Sequence, residues 1–366
     1  MTVKQTQSLE GVRKAARRSR PAYYLWALAA FLLPVSVGAV LLALGRAPSA
    51  EVQSKDLDAA AAQNVNARPR LEIKNPLPGR ATVNRPPANE PPRGDRPADP
   101  PAPAPDAPFY LALEKTLAAR QLTLAEVCPR EDPVARRVLE DYGAVFVAAE
   151  GVVHPPVCVF GGEADAAAYQ NMVKFRSAVV GRSRIELQPA AMEALLAARE
   201  EALQEKLDIT PRGGAEAARR TYTDTVRLWD TRFLPALAYW SKRGRLSGDE
   251  VARLKRLPLK QQVVEVLELE KKGIFFSKDF SKSILYSIAA PGTSQHMTGL
   301  ALDVSQYGNA RVRQILERHG WFQTVKSDLP HFTYLGVGAA DLPALGLRPV
   351  RYGSQTFWIP DVGQGR

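Results

Sequence analysis

Two short segments hold most of the residues whose types and spacing could do chemistry. One is Ser294-Gln295-His296-Met297-Thr298-Gly299-Leu300-Ala301-Leu302-Asp303, the other Asp328-Leu329-Pro330-His331-Phe332-Thr333-Tyr334. Imidazoles and carboxylates hold divalent cations, and His296, Asp303 and His331 make a three-ligand set that leaves one coordination position open, as a catalytic Zn2+ requires. Asp328, three residues before His331, supplies the unligated carboxylate that such a site uses as general base. Taken singly, a His before a turn or an Asp ending a strand is ordinary capping or surface chemistry; only the two segments together support a metal site.

These side chains need elements to bring them together. After the Thr298-Gly299 turn, Leu300, Leu302 and Val304 alternate with Ala301, Asp303 and Ser305, so Asp303 lies on the polar face of a strand. On HFTYL, His331 and Thr333 share one face and Phe332 and Tyr334 the other. Pairing the two strands would put both imidazoles and the carboxylate side by side. Further strands are expected over AVFVA, PVCVF, RIEL, LDIT and WFQTV. Helices are expected over VARRVLEDY, started by Asp132-Pro133 and stopped by Gly143, and over residues 163–173, 189–206, 215–237 and 309–319. Two more helices are expected between 238 and 273, the second being PLKQQVVEVLELEKKG with its Gly273 stop. The fold class is α+β, a small mostly antiparallel sheet with flanking helices carrying the zinc site.

The two segments match S-x-H-x-x-G-x-A-x-D and D/E-x-x-H, and there the chain resembles zinc peptidases of the D-Ala-D-Ala metallopeptidase type, a superfamily that includes lysostaphin-like enzymes and the hedgehog signalling domain. The resemblance covers roughly residues 181–340 and is specific only at the zinc motifs. It implies that His296, Asp303 and His331 are zinc ligands, that Ser294 supports the first of them, and that the substrates are peptidoglycan stem peptides. The family also carries an Arg that polarises the scissile carbonyl after a long helix and a short strand. Arg212 falls at that place, with Arg219 and Arg220 as rivals, because the family's Ser-x-x-Arg-Ser wording is absent. Trp321 and Tyr334 flank the motifs and are expected to line the substrate groove. Asp328 stands where the carboxypeptidases carry Glu. The D-x-P-H-F wording resembles the L-alanyl-D-glutamate endopeptidases, whereas TSQHMTGLALDV and AAPG look closer to the D-alanyl-D-alanine carboxypeptidases. A catalytically silent zinc- or wall-binding module is the other reading that the resemblance allows.

The rest of the chain bears on location. Residues 21–45 are uncharged, long enough as a helix to cross a hydrocarbon layer of roughly 30 Å, and begin with Tyr23, Tyr24 and Trp26. A basic leader precedes them: six Lys and Arg against one Glu in residues 1–20, or +5 of the net +11. This pattern is that of a single-pass transmembrane helix with a cytoplasmic N-terminus and an extracytoplasmic, periplasmic C-terminal part; a cleaved signal peptide is the rival. Residues 46–108 end in a proline-dense run, an extended spacer whose last 23 or so residues could reach roughly 70 Å at about 3.1 Å each. Residues 109–180 form an accessory α/β segment and 181–366 the peptidase-like domain. The residual charge is too thinly spread for nucleic acid. Two cysteines exclude a Cys-based zinc finger or iron-sulfur cluster, and Cys128 and Cys158, on the oxidising side, are expected to pair. His319 near a helix end and His154 in a loop are expected to be structural, and the aromatic run YTDTVRLWDTRFLPALAYW to be core. The oligomeric state is left open.

Overall fold

Prolines and small capping side chains start most of the helices. The computed structural model describes residues 106–149 and 151–363, so the leader, the apolar span and nearly all of the spacer lie outside the described residues. Among the described residues, no helix is long and apolar enough to cross a membrane. Helix α1 (Pro108–Ala119) and the single turn α2 (Leu124–Val127) lead to α3 (Pro133–Tyr142), where Oδ1 of Asp132 accepts from the amides of Val134 and Ala135. Helix α4 (Glu163–Val173) follows, then the hairpin β1 (Arg176–Val180) and β2 (Ser183–Leu187). Helices α5 (Pro189–Gln204), α6 (Tyr222–Lys242), α7 (Gly248–Arg256) and α8 (Leu259–Lys271) come next. The last part holds β3 (Ala301–Asp303), α9 (Ala310–Arg318), β4 (Trp321–Phe322), β5 (His331–Tyr334) and a second hairpin, β6 (Leu347–Tyr352) with β7 (Gln355–Pro360). The chain is a mixture of helices and small antiparallel sheets.

Several expected elements differ. AVFVA is not a strand but a 3-10 turn over Gly143–Val147, buried throughout; a short apolar run enclosed on all sides fits helix or strand equally well by pattern. PVCVF forms no strand: Cys158 and Phe160 each make one ladder-like bond, to the carbonyls of Val127 and Gly292, on two different partners. Cys128 and Cys158 form a disulfide across this loop. LDIT is likewise irregular, although Pro211 just beyond it bridges Val304. The helix expected over 215–237 is broken. A short turn at Ala215–Ala217 ends, Thr221 opens α6 with a capping box to Asp224, and residues 218–220 are non-helical between them, the Arg220 amide donating to the His296 carbonyl. That break matters for the site.

The sheet that matters has the order β3-β5-β4, all antiparallel, with β5 central. Its apolar face, Leu302 and Phe332, sits in one core with Trp229, Phe233 and Phe276, so the aromatic run on α6 is packing. Phe109, Leu113 and Leu139 belong to that same core, so residues 109–180 and 181–366 share one interior and do not each have their own. A smaller cluster of Phe160, Tyr169, Val173, Tyr222 and Met297 packs α4 against the turn that carries His296.

Candidate metal centre

Antiparallel register places Asp303 directly opposite His331, with Leu302 opposite Phe332 and Ala301 opposite Thr333. Residues facing each other across such a pair put their side chains on the same face, so the carboxylate and the imidazole are neighbours by register alone. His296 arrives from a 3-10 turn at Gln295–Thr298 that ends on Gly299 in a left-handed conformation (φ +68°). A Cβ there would stand 2.3 Å from Cε1 of Phe175, so only glycine fits, which is the physical reason for the Gly in the motif. Oγ1 of Thr298 accepts from the Leu300 amide at 3.1 Å and donates to the Gln295 carbonyl at 2.7 Å, holding the turn against the start of β3.

The three side chains converge. Nε2 of His296 lies 3.1 Å from Nδ1 of His331, and Oδ1 of Asp303 lies 3.3 Å from each. A tetrahedral ion about 2.0 to 2.1 Å from each ligand atom sets those atoms about 3.3 Å apart. The outward nitrogens are engaged: Nδ1 of His296 donates to the Ala218 carbonyl at 3.3 Å, and Nε2 of His331 faces Oε1 of Gln295 at 2.7 Å. With the protons held outward, three lone-pair acceptors point at one another, and Oδ1 of Asp303 is buried with no hydrogen-bond partner among the described residues. A cation resolves that arrangement; the residues present fit a metal ion. Burial, followed by the nearby Arg220 charge, pushes the His296 imidazole down to about 4, which keeps it neutral and available as a ligand near pH 7.

A groove of about 280 Å³ opens onto His296 and His331, lined among others by Tyr142, Arg220, Tyr286, Ser294, Gln295 and Asp328. Asp328 is exposed on the groove rim, yet the protein crowded around its carboxyl raises it above the ordinary aspartate range, helped by the Asp303 charge and opposed by His331, Arg220 and Arg212. Ser294 starts the turn that carries His296 and lines the groove without making a cap bond.

Two solved structures resemble the chain. One is a mutant of the vancomycin resistance D,D-pentapeptidase VanY from the VanB-type resistance cassette, in complex with Zn(II). It has 15% identity, covers 47% of this chain and 84% of its own, and has a TM-score of 0.28. The other is the LdcB LD-carboxypeptidase, described for its peptidoglycan recognition, with 17% identity, 47% and 68% coverage and a TM-score of 0.25. No protein-family profile matches the chain. No curated protein matches it either.

Three expected site residues lie elsewhere. Arg212 is exposed beside β3, its amide bonded to the Asp303 carbonyl and its guanidinium 5.3 Å from the Tyr307 ring centre; it does not line the groove. Arg220, from the break before α6, does: Nη2 donates to Oδ2 of Asp303 at 2.9 Å. Arg219 turns the other way, to Glu186 and Gln170. Trp321 is fully buried, and Tyr334 faces the opposite side of β5 from His331, packed on Trp321 with ring centres 5.3 Å apart. Neither lines the groove. Missed altogether were Gln295, Tyr142 and Gln170. The Gln170 amide donates to the carbonyls of Arg220 (2.8 Å) and Met297 (3.0 Å), tying the Arg220 segment to the His296 turn. Gln295 lay inside the motif; nothing in the sequence marked the other two. Of the leftover histidines, His319 pairs with Glu201 at 2.9 Å and His154 with the Ala148 carbonyl at 3.0 Å.

Proposed function

We propose that the chain is a zinc-dependent peptidase acting on peptidoglycan stem peptides, most closely a D-alanyl-D-alanine carboxypeptidase, held at the outer face of a membrane by residues 21–45. The observation that carries the chemical part is the triangle of inward-facing acceptors on His296, Asp303 and His331, with edges of 3.1 to 3.3 Å. Motif wording supports the substrate class, and the basic leader with its uncharged span supports the anchoring.

A zinc ion held by these three residues supplies the Lewis acidity that makes water nucleophilic near neutral pH and draws charge from an amide carbonyl. Asp328, raised above the ordinary aspartate range, takes the proton from the attacking water and delivers it to the departing amine. Arg220 takes the part that the resemblance gave to Arg212. Its Nε is bonded to the Glu216 carbonyl and one Nη2 bond goes to Asp303, which leaves Nη1 for the developing oxyanion. His296 and His331, fixed by their outer hydrogen bonds, stay as ligands and transfer no proton in the reaction.

The test is mass spectrometry of purified muropeptides incubated with the full-length protein, with chelator and after zinc is restored. Loss of one terminal D-alanine, zinc-dependent, is the expected result. A cleaved stem would move the assignment to the endopeptidase branch. An unchanged substrate would leave a zinc- or wall-binding module.

A further inference from the structure

Gln295 is 4% exposed and makes three side-chain hydrogen bonds, one at its nitrogen and two at its oxygen. The nitrogen stands 2.8 Å from the carbonyl of Tyr142, an atom that can only accept, so the amide NH2 must face it. Turning the amide over would place oxygen against oxygen at that distance. Oε1 therefore faces Nε2 of His331 at 2.7 Å and Oγ1 of Thr333 at 2.5 Å, and both its lone pairs are used. Thr333 in turn meets Oγ1 of Thr324 at 2.6 Å, which closes the chain with donors and acceptors matched. An amide oxygen beside an imidazole nitrogen requires the proton to be on that nitrogen. The other ring nitrogen, Nδ1, is then left as a bare lone pair directed at His296 and Asp303.

We propose that Gln295 is the positioning residue of the metal centre: through its oxygen it fixes both the ring orientation and the Nε2–H tautomer of His331, so that Nδ1 is the ligand. This rests on reading the His296, Asp303 and His331 trio as a metal site. One turn then does two tasks, since it carries His296 and the residue that orients His331. The reference point is the backbone of Tyr142 at the end of α3, which gives residues 109–180 a part in building the site. Outer hydrogen bonds of this kind set which nitrogen of a ligating His is free, and losing one lowers metal affinity by about 10- to 100-fold.

The experiment uses the full-length protein with its disulfide intact, at one slightly alkaline pH throughout. Two quantities are read: the 15N signature of the His331 ring without metal, and zinc affinity by competition with a chromogenic chelator. Wild type is expected to show a single Nε2–H tautomer. Gln295→Met, equal in length but without an acceptor, should show mixed tautomers and bind zinc about 10- to 100-fold more weakly. Gln295→Glu keeps the acceptor oxygen at His331 but sets its second oxygen against the Tyr142 carbonyl, so it should keep the single Nε2–H tautomer and recover only part of the affinity. A folded Gln295→Met protein with wild-type tautomer and affinity overturns the proposal, as does an Nδ1–H ring in the wild type, a result that stands even if the Met variant does not fold. If the wild type shows the Nε2–H ring but binds no zinc, the metal reading fails while the positioning of His331 by Gln295 stands.

Discussion

Arg220 and Asp303 divide a carboxylate between two tasks. Oδ2 takes the guanidinium at 2.9 Å, and Oδ1 stands free at 3.3 Å from each facing imidazole nitrogen. The pair is mostly buried, so the ion pair fixes which oxygen is offered inward and makes one-oxygen ligation the built-in mode. Arg220 is thereby both an orienter of Asp303 and a charged wall of the groove.

Replacing Arg220 with Met should lower kcat on a muropeptide by about 10²- to 10³-fold at saturating zinc, the usual cost of losing an oxyanion donor. Arg212→Met should leave turnover near wild type, because its side chain lies over Tyr307 outside the groove. Steady-state kinetics on both variants checks the assignment; the opposite ranking would return the role to Arg212.

Asp328 is not one of the converging three, so its loss should separate binding from chemistry. Asp328→Asn should retain bound zinc and lose about 10²- to 10⁴-fold in kcat, the range for removing a general base. Metal content measured beside turnover is the check. Wild-type turnover in this variant would remove Asp328 from the mechanism.

Glu270 predicts how stability depends on pH. Its Oε1 accepts from the amides of Phe276 (3.2 Å) and Ile284 (2.6 Å), pinning the loop that leads from α8 to the groove wall at Tyr286. Burial outweighs these bonds, the Ser283 contact and the Arg137 charge, and raises the carboxyl from 4.5 to about 7. A carboxyl raised in the folded state favours the protonated form, so its contribution is whole below about pH 4.5 and is lost as pH rises through about 7, on the order of 3 kcal/mol in all. Urea midpoints at about pH 5 and about pH 8 should therefore show wild type weakening relative to Glu270→Gln at the higher pH. Parallel behaviour of the two proteins would contradict this.

The site could be read from the sequence where its geometry is local. Alternation on LALDV and HFTYL placed Asp303 and His331 on polar faces, and the Thr298-Gly299 turn placed His296, because strand period and a left-handed glycine are properties of a few consecutive residues. Helices with strong caps, such as α3 behind Asp132 and α9 behind Asn309, were equally open to reading. Arg220 stands in the sequence only as a rival to Arg212, because a helical pattern expected over 215–237 hides the break that the Thr221 capping box makes before α6. Trp321 was placed in the groove by proximity in sequence to the motifs, whereas its face of the sheet is decided by register against β5. The contributions of Tyr142 and Gln170 come from more than 120 residues away along the chain, and no local pattern encodes them.

The central claim is that His296, Asp303 and His331 together hold one divalent cation, and metal content tests it most directly. Full-length wild type, purified with zinc and then dialysed, should carry about one zinc per chain by elemental mass spectrometry, and His296→Ala, Asp303→Ala and His331→Ala should each carry almost none while remaining folded. A wild-type protein without zinc, or folded variants that keep as much as wild type, would contradict it.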